Sequence, residues 1–377
     1  MNDPRQEIVE NQITDVEAED LSEEGSRRTP WDPKKIRVST KPWSLRQAVD
    51  DIKDGTIDVA PDFQRSSVWT LQKRSRLIES ILLGIPLPAL YFSADVEGRM
   101  QVVDGVQRLT TVRDFALGNL SLKGLEYLFE LENKDFNGLE AALRRRFHQT
   151  QIFVNVIEPE TPIEVKFNIF KRINTGGEPL KPQEIRHALG GERSRDILKR
   201  MVSSDAFHQA TAEAFKVDAR MSARELALRF IAFQLDPDLK EYEQAESVDD
   251  YLMATIRKLD EPAVLSEVQV AALELKFERA MVAASVLFGE YAFRKWSLES
   301  DRRSPLNRAL FESWSVALAD YELDKLRARK DQIVKDVRKA FSSDRDYLAS
   351  VTMATADLAR VRMRLATARR ILGREST

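Results

Sequence analysis

The stretch RMQVVDGVQRLTTVRDF at residues 99–115 gathers side chains able to do chemistry into a short space. Asp104 closes a short strand-like run, where a carboxylate can hold a magnesium ion or a water. Gly105 lets the backbone turn tightly and approach a ligand closely. Helical spacing then follows, with Val106, Leu109, Val112 and Ala116 on one face. A helix that starts here presents unpaired N–H groups and a positive dipole end, a ready site for an anion. Gln107 and Arg108 fall in its first turn, and Thr110 and Thr111 come next. A cation is poorly placed there on dipole grounds, so an arginine makes sense if it helps to hold a phosphate. One charge-assisted hydrogen bond of this kind contributes about 1.5–3 kcal/mol. Taken alone, the D-G-x-Q-R string more often describes an ordinary turn with a surface arginine.

Two further clusters have the same polar character. PDFQRSSVW at 61–69 sets Gln64 and Arg65 between Phe63 and Trp69, which reads either as a second wall of a pocket or as a loop anchored by aromatics. FKRINTGGEPLKPQEIRHAL at 170–189 crowds Arg172, Asn174 and Thr175 at a helix end and starts the next helix with Gln183, Glu184 and Arg186. His187 follows and is a candidate general base, although a single packed histidine is the commoner arrangement.

The elements that must position these residues can be read from spacing. The segment SRRTPWDPKKIRVSTKP reads as an extended, Pro-rich basic connector, with ordered structure expected from about Trp43. Ser44 caps a short helix that stops at Gly55, and IDVAP reads as a strand. LQKRSRLIESILLG is a helix with Gly84 as its stop, and PALYFS-DVEG-RMQVVDG is a hairpin leading into the Asp104 turn. QIFVNVIEP is another strand. TPIEVKFNIFKRINTGG is a helix with Thr161 as N-cap, Pro162 at its first position, and Ile163, Phe167 and Phe170 buried. Past residue 190 strand signals vanish and amphipathic helices dominate. The expectation is an α+β fold: a tail and connector over 1–42, a mixed domain over 43–190, and an all-α domain over 191–377.

Composition narrows the function classes. Hydrophobic residues are 43% and charged residues 32%, which excludes disorder of the whole chain. There is no cysteine, so thiol nucleophiles, iron–sulfur clusters and Cys-ligated zinc are excluded. Only three histidines occur, His148, His187 and His208, which argues against a His-rich metal site. Residues 1–25 carry nine acids against Arg5, a net −8, so the remainder is +5 within a total of −3. The acidic leader reads as a solvated disordered tail, with mimicry of nucleic acid or cover for the basic body as the alternative. Six arginines in the terminal helix segment, Arg360 to Arg374, read as a solvated face or a phosphate-tracking one. The acidic start resembles no secretory signal, and Leu77–Phe92 is too interrupted to cross a bilayer, so a cytoplasmic protein is expected.

FQRSSVW, RLIESILLGIPLPALYF, VVDGVQRLTT and FKRINTGGEPLKPQEIRHAL occur in this order. Together they resemble the N-terminal domain of the GmrSD type IV restriction systems, strongly over residues 43–190 and more loosely through RMSARELALRF, LFGEYAFRK and PLNRALFESWSVALA. The resemblance implies a ParB/sulfiredoxin-like fold and a stand-alone member without an HNH nuclease domain. The family signature D-G-Q-Q-R reads here Asp104, Gly105, Val106, Gln107, Arg108, with Val106 replacing the first glutamine. No Walker A string is present.

By that resemblance the chain is expected to be a nucleotide-binding, NTP-hydrolysing component of an anti-phage restriction system, acting on DNA with a partner nuclease. Asp104 would hold magnesium or water, Gln107 the γ-phosphate or attacking water, and Arg108 the phosphates. Gln64, Arg65, Gly105, Thr110, Thr111, Arg172, Asn174 and Arg186 would complete the nucleotide site. Two other readings stay open: a metal-dependent ParB-like nuclease using Asp104, and a non-catalytic module that binds DNA or protein.

Overall fold

The structure is a computed structural model that describes residues 6–9, 12–20, 33–59, 69–173, 181–215 and 221–373. The chain forms two units, one of residues 30–189 and one that joins residues 1–29 to 190–377.

At the start of the chain, β1 (Gln6–Val9) and β2 (Gln12–Glu17) pair antiparallel. The 30–189 unit then opens on β3 (Val38–Ser44). The last five residues of the basic connector, Val38 to Pro42, are thus part of a strand. Pro42 is tolerated because β3 is an edge strand whose only sheet neighbour is β7 (Gln151–Ile157). Ser44 caps α1 (Leu45–Lys53) by accepting from the Gln47 N–H. β4 (Ile57–Asp58) leads towards α2 (Leu71–Leu83), which ends on left-handed Gly84. The hairpin β5 (Leu90–Ala94) and β6 (Met100–Asp104) feeds α3 (Val106–Ala116). After α4 (Ala141–Gln149) and β7 come α5 (Ile163–Ile173) and α6 (Pro182–Leu189).

The five-stranded sheet has the order β3-β7-β5-β6-β4, with the β7–β5 and β6–β4 pairs parallel. Ile152, Val154 and Val156 alternate inward along β7 while Phe153 points out. They join Phe92, Val102, Leu109, Phe115 and Phe147 in one core. The Thr161 hydroxyl accepts from the Arg37 N–H and donates to the Arg37 carbonyl, which fastens the start of β3.

The other unit is helical: α7 (Glu192–Val202), α8 (Asp205–Ala210), α9 (Ser222–Leu235), α10 (Lys240–Gln244), α11 (Val248–Asp260), α12 (Glu267–Phe288), α13 (Arg308–Leu318), α14 (Leu323–Ala328), α15 (Lys330–Ser343), α16 (Arg345–Ser350) and α17 (Leu358–Gly373). Every residue of α13 is buried, which makes it the central helix of this unit. Its polar residues are paired. Glu312 holds Arg229 of α9 at 3.1 Å and Arg364 of α17 through Nε at 2.8 Å. Burial alone would depress the Arg229 guanidinium, but Glu19, Glu225 and Glu312 around it carry it upward.

The acidic leader is corrected by this unit. Its residues from Asp15 to Asp20 are no solvated tail but a strap docked on the helical unit. Val16 bridges to Leu306, and Asp15 grips Arg294 with two bonds of 3.0 and 2.7 Å. Glu17 holds Lys295 at 2.6 Å, and Glu19 grips Arg229 at 3.0 and 2.7 Å. Acids at every second position of an extended chain face one way, and here that way is a row of cations. The arginine-rich end of the chain is corrected in part as well. Arg364 is buried on Glu312, Arg362 pairs with Glu243 at 3.0 Å, and Arg360 donates to the Ala349 and Met353 carbonyls. Among the described residues no helix is long and apolar enough to cross a membrane.

Candidate functional site

The strand-to-helix junction is built from the sheet outward. β6 is clamped between β5 and β4, so the Asp104 backbone is fixed at a strand end, opposite Tyr91. Gly105 follows with φ +104° and serves as N-cap with no side-chain hydrogen bond. Glycine is required there twice over. An L-residue is strained at that φ, and a Cβ would lie 2.1 Å from Leu90 Cδ2. The chain thereby starts α3 with its first N–H groups uncapped by any side chain of the turn, and these carry the positive end of an eleven-residue helix.

Val106 is buried in the sheet core. Position 106, between Gly105 and Gln107, thus faces apolar side chains. Valine there serves packing, and the helix opening keeps its polar groups at 104, 107 and 108.

Arg108 is not in bulk solvent; its side chain is 13% exposed, against 34% for Asp104. Nη2 binds Asp104 Oδ2 at 2.8 Å, and Nη1 donates to the Pro88 carbonyl at 2.5 Å. A longer bond of 3.4 Å reaches the Ala89 carbonyl. Burial lowers the guanidinium from its ordinary value, and Asp104 opposes that shift. In this state Arg108 is a clamp: it ties the start of β5 to the end of β6 and fixes the Asp104 rotamer. Among the described contacts Asp104 Oδ1 is left for another ligand.

Gln107 Oε1 accepts from the Trp69 N–H at 3.3 Å. That bond fixes one end of the segment bearing Gln64 and Arg65, and β4, paired with β6, fixes the other. Gln64 and Arg65 themselves lie outside the described residues, as does Asn174. Thr110 and Thr111 are spent within the helix. Their hydroxyls donate to the Val106 and Gln107 carbonyls at 2.9 and 2.7 Å. Arg172 is exposed in the last turn of α5. Arg186 is buried on α6, where its Nε donates to Gln183 Oε1 at 2.8 Å, and His187 is buried beside it. The structure therefore brings together Asp104, Gly105, Gln107 and Arg108.

Residues not singled out by the sequence support this group. Arg74 of α2 pairs with Asp114 at 2.5 Å and reaches Thr111 Oγ1 at 3.4 Å, which braces α3 against α2. Glu79, also on α2, is buried and accepts from the Glu126, Tyr127 and Leu128 N–H groups at 2.7–3.0 Å. Burial works to raise that carboxyl, yet the three amides and Arg76 bring it below the usual carboxylate range. Helix periodicity marks these positions as part of α2 but gives no sign of partners forty residues away.

Among the described residues no group of three or more acids or histidines could hold a metal ion. A lone carboxylate oxygen at a helix N-terminus suits magnesium that keeps several waters and leans on a phosphate, rather than a cation held by protein alone.

Residues 45–190 match the family model described as GmrSD restriction endonuclease, N-terminal domain. No curated protein matches the chain.

Proposed function

We propose that the domain over residues 45–190, which matches the GmrSD restriction endonuclease N-terminal domain model, has a restriction-related role and binds a nucleoside triphosphate at the start of α3. The observation that carries the reading is the Asp104–Arg108 junction. It joins an uncapped helix N-terminus, a glycine that keeps the approach open, and a carboxylate held in place by its neighbour. The α3 amides receive the phosphates, as helix N-termini commonly do. Asp104 Oδ1 would hold magnesium, which supplies charge neutralisation for the phosphate oxygens when bound. Gln107 stays within reach of the terminal phosphate or a water and couples the site to Trp69. Arg108 acts through Asp104 as a positioning residue. We take the mixed sheet with α3 at its strand end as ParB/sulfiredoxin-like.

In this reading hydrolysis of the nucleotide drives a cytoplasmic anti-phage restriction system, and DNA cleavage falls to a partner nuclease. A nuclease built on Asp104 alone is less well supported, because hydrolysis of a phosphodiester generally draws on a pair of metal ions with shared acids. Thermal shift with the four ribonucleoside triphosphates and magnesium tests the binding. A ligand at about a hundred times its dissociation constant adds about 2.7 kcal/mol of stability. A shift with at least one triphosphate, lost in Asp104→Ala, is expected; no shift with any of the four overturns the proposal.

A further inference from the structure

A second place in the molecule has the form of a ligand site and belongs to the helical unit alone. A cavity of about 540 Å³ lies between the end of α12 and the first turns of α15. That volume is in the range of small-molecule sites. One wall carries Tyr291 and Trp296, whose rings stack at 4.1 Å with 9° between their planes. The guanidinium carbon of Arg338 sits 4.7 Å from the centre of the Trp296 ring. With Tyr291 on one face of the indole, Arg338 must cover the other. The result is a three-layer stack of flat groups.

Two of the three guanidinium nitrogens of Arg338 are engaged. Nε donates to the Ser297 carbonyl at 3.1 Å, and Nη2 pairs with Asp301 at 2.8 Å. Trp296 Nε1 also donates to Asp301, at 3.1 Å. The stack is therefore held by its edges, and all three of its residues line the cavity, with Arg338 adding a cationic plane. Guanidinium and aromatic planes of this kind are what nucleobases stack upon. Lys330, the first residue of α15, and Lys335 both line the cavity. Among the described residues neither has an ion-pair partner, and both are exposed. Glu290 and Asp331 also line the cavity, which limits its positive charge and disfavours a polyphosphate.

We propose that this cavity binds a nucleobase together with a single adjacent phosphate, the base stacking on the Tyr291–Trp296–Arg338 layers and the phosphate meeting Lys330 and Lys335. The site goes beyond the nucleotide site at α3 and does not depend on it. The same chemistry is presented by a free nucleoside monophosphate or by one residue of a single-stranded nucleic acid.

The test uses the full chain, with AMP by calorimetry and a labelled eight-nucleotide single strand by fluorescence anisotropy. Trp296→Ala removes the middle layer on which the Arg338 plane rests and should weaken whichever probe binds by at least about fivefold. Trp296→Phe should keep most of the affinity, which separates stacking from loss of the fold. The exposed pair Lys330→Ala/Lys335→Ala should lower the log–log salt slope for the strand by about 0.7, the value for one phosphate contact. The Trp296 and lysine variants lie outside the α3 junction, so failure here is distinguishable from failure at α3. Binding of AMP assigns the site to a free nucleotide, and binding of the strand alone assigns it to nucleic acid. No saturable binding of either probe overturns the proposal, as does binding that Trp296→Ala and the double lysine variant leave within about twofold.

Discussion

Replacing Gly105 with alanine adds one methyl group at the point where the proposed site depends most on backbone shape. The φ of +104° is unfavourable for any residue with a Cβ, at a cost of about 1–2 kcal/mol. The new Cβ would also lie 2.1 Å from Leu90 Cδ2 and 3.3 Å from Arg108 Nη2. Leu90 is buried in the sheet core, so it cannot swing away freely. Overpacking of this kind costs about 1–3 kcal/mol. Together the two effects give about 2–5 kcal/mol, or a fall in melting temperature of about 4–20 °C for a unit of this size. Scanning calorimetry of the full chain reads that shift. Leu90→Ala alone should cost about 2–5 kcal/mol through its cavity. In the double variant the overlap is gone, so the two losses should fall short of additivity by about 1–3 kcal/mol. The reasoning is refuted if Gly105→Ala stays within about 0.5 kcal/mol of the parent, or if the two losses simply add.

Other perturbations separate the remaining contacts. Glu17→Ala takes from buried Lys295 its 2.6 Å partner and from Asn307 an acceptor at 3.1 Å. A loss of about 3–5 kcal/mol by calorimetry is expected, where a solvated tail would give none. Glu79 is held below its ordinary value, so its contribution is complete above the unfolded carboxylate range, near pH 4.3, and is lost as pH falls through the lower folded value. Acid unfolding should therefore begin at higher pH, and depend on pH less steeply, in Glu79→Gln. Arg108→Met keeps much of the stem but leaves the Pro88 carbonyl and Asp104 without their donor. It should cost about 1–3 kcal/mol of stability and weaken magnesium-dependent nucleotide binding more than binding without the metal, as isothermal titration can show.

The junction itself was open to reading from the chain. A strand ending in Asp104, a glycine, and helical spacing from Val106 are local signals, and local signals set β6, Gly105 and α3. Ser44 and Gly84 likewise act where the pattern placed them. What was not open depends on partners far along the chain. β3 hides behind Pro42 because edge position, which excuses a proline, is a property of the finished sheet. Asp15, Glu17 and Glu19 look like a solvated acidic run because Arg229, Arg294 and Lys295 come more than two hundred residues later. The contacts of Arg108 with the carbonyls of Pro88 and Ala89 are equally hidden, because backbone acceptors carry no side-chain signature. Thr110 and Thr111 show the same limit. A hydroxyl in a helix can serve a ligand or its own backbone, and only the fold decides.

The central claim is that a triphosphate settles on the first turn of α3 with magnesium on Asp104. Its most direct test is a titration of the stabilising Mg–triphosphate into the full chain and into Asp104→Asn, which keeps the side chain's shape and removes its charge. The account predicts saturable binding at about one site per chain, weakened at least about tenfold in the variant. Equal affinity in the two proteins would contradict it.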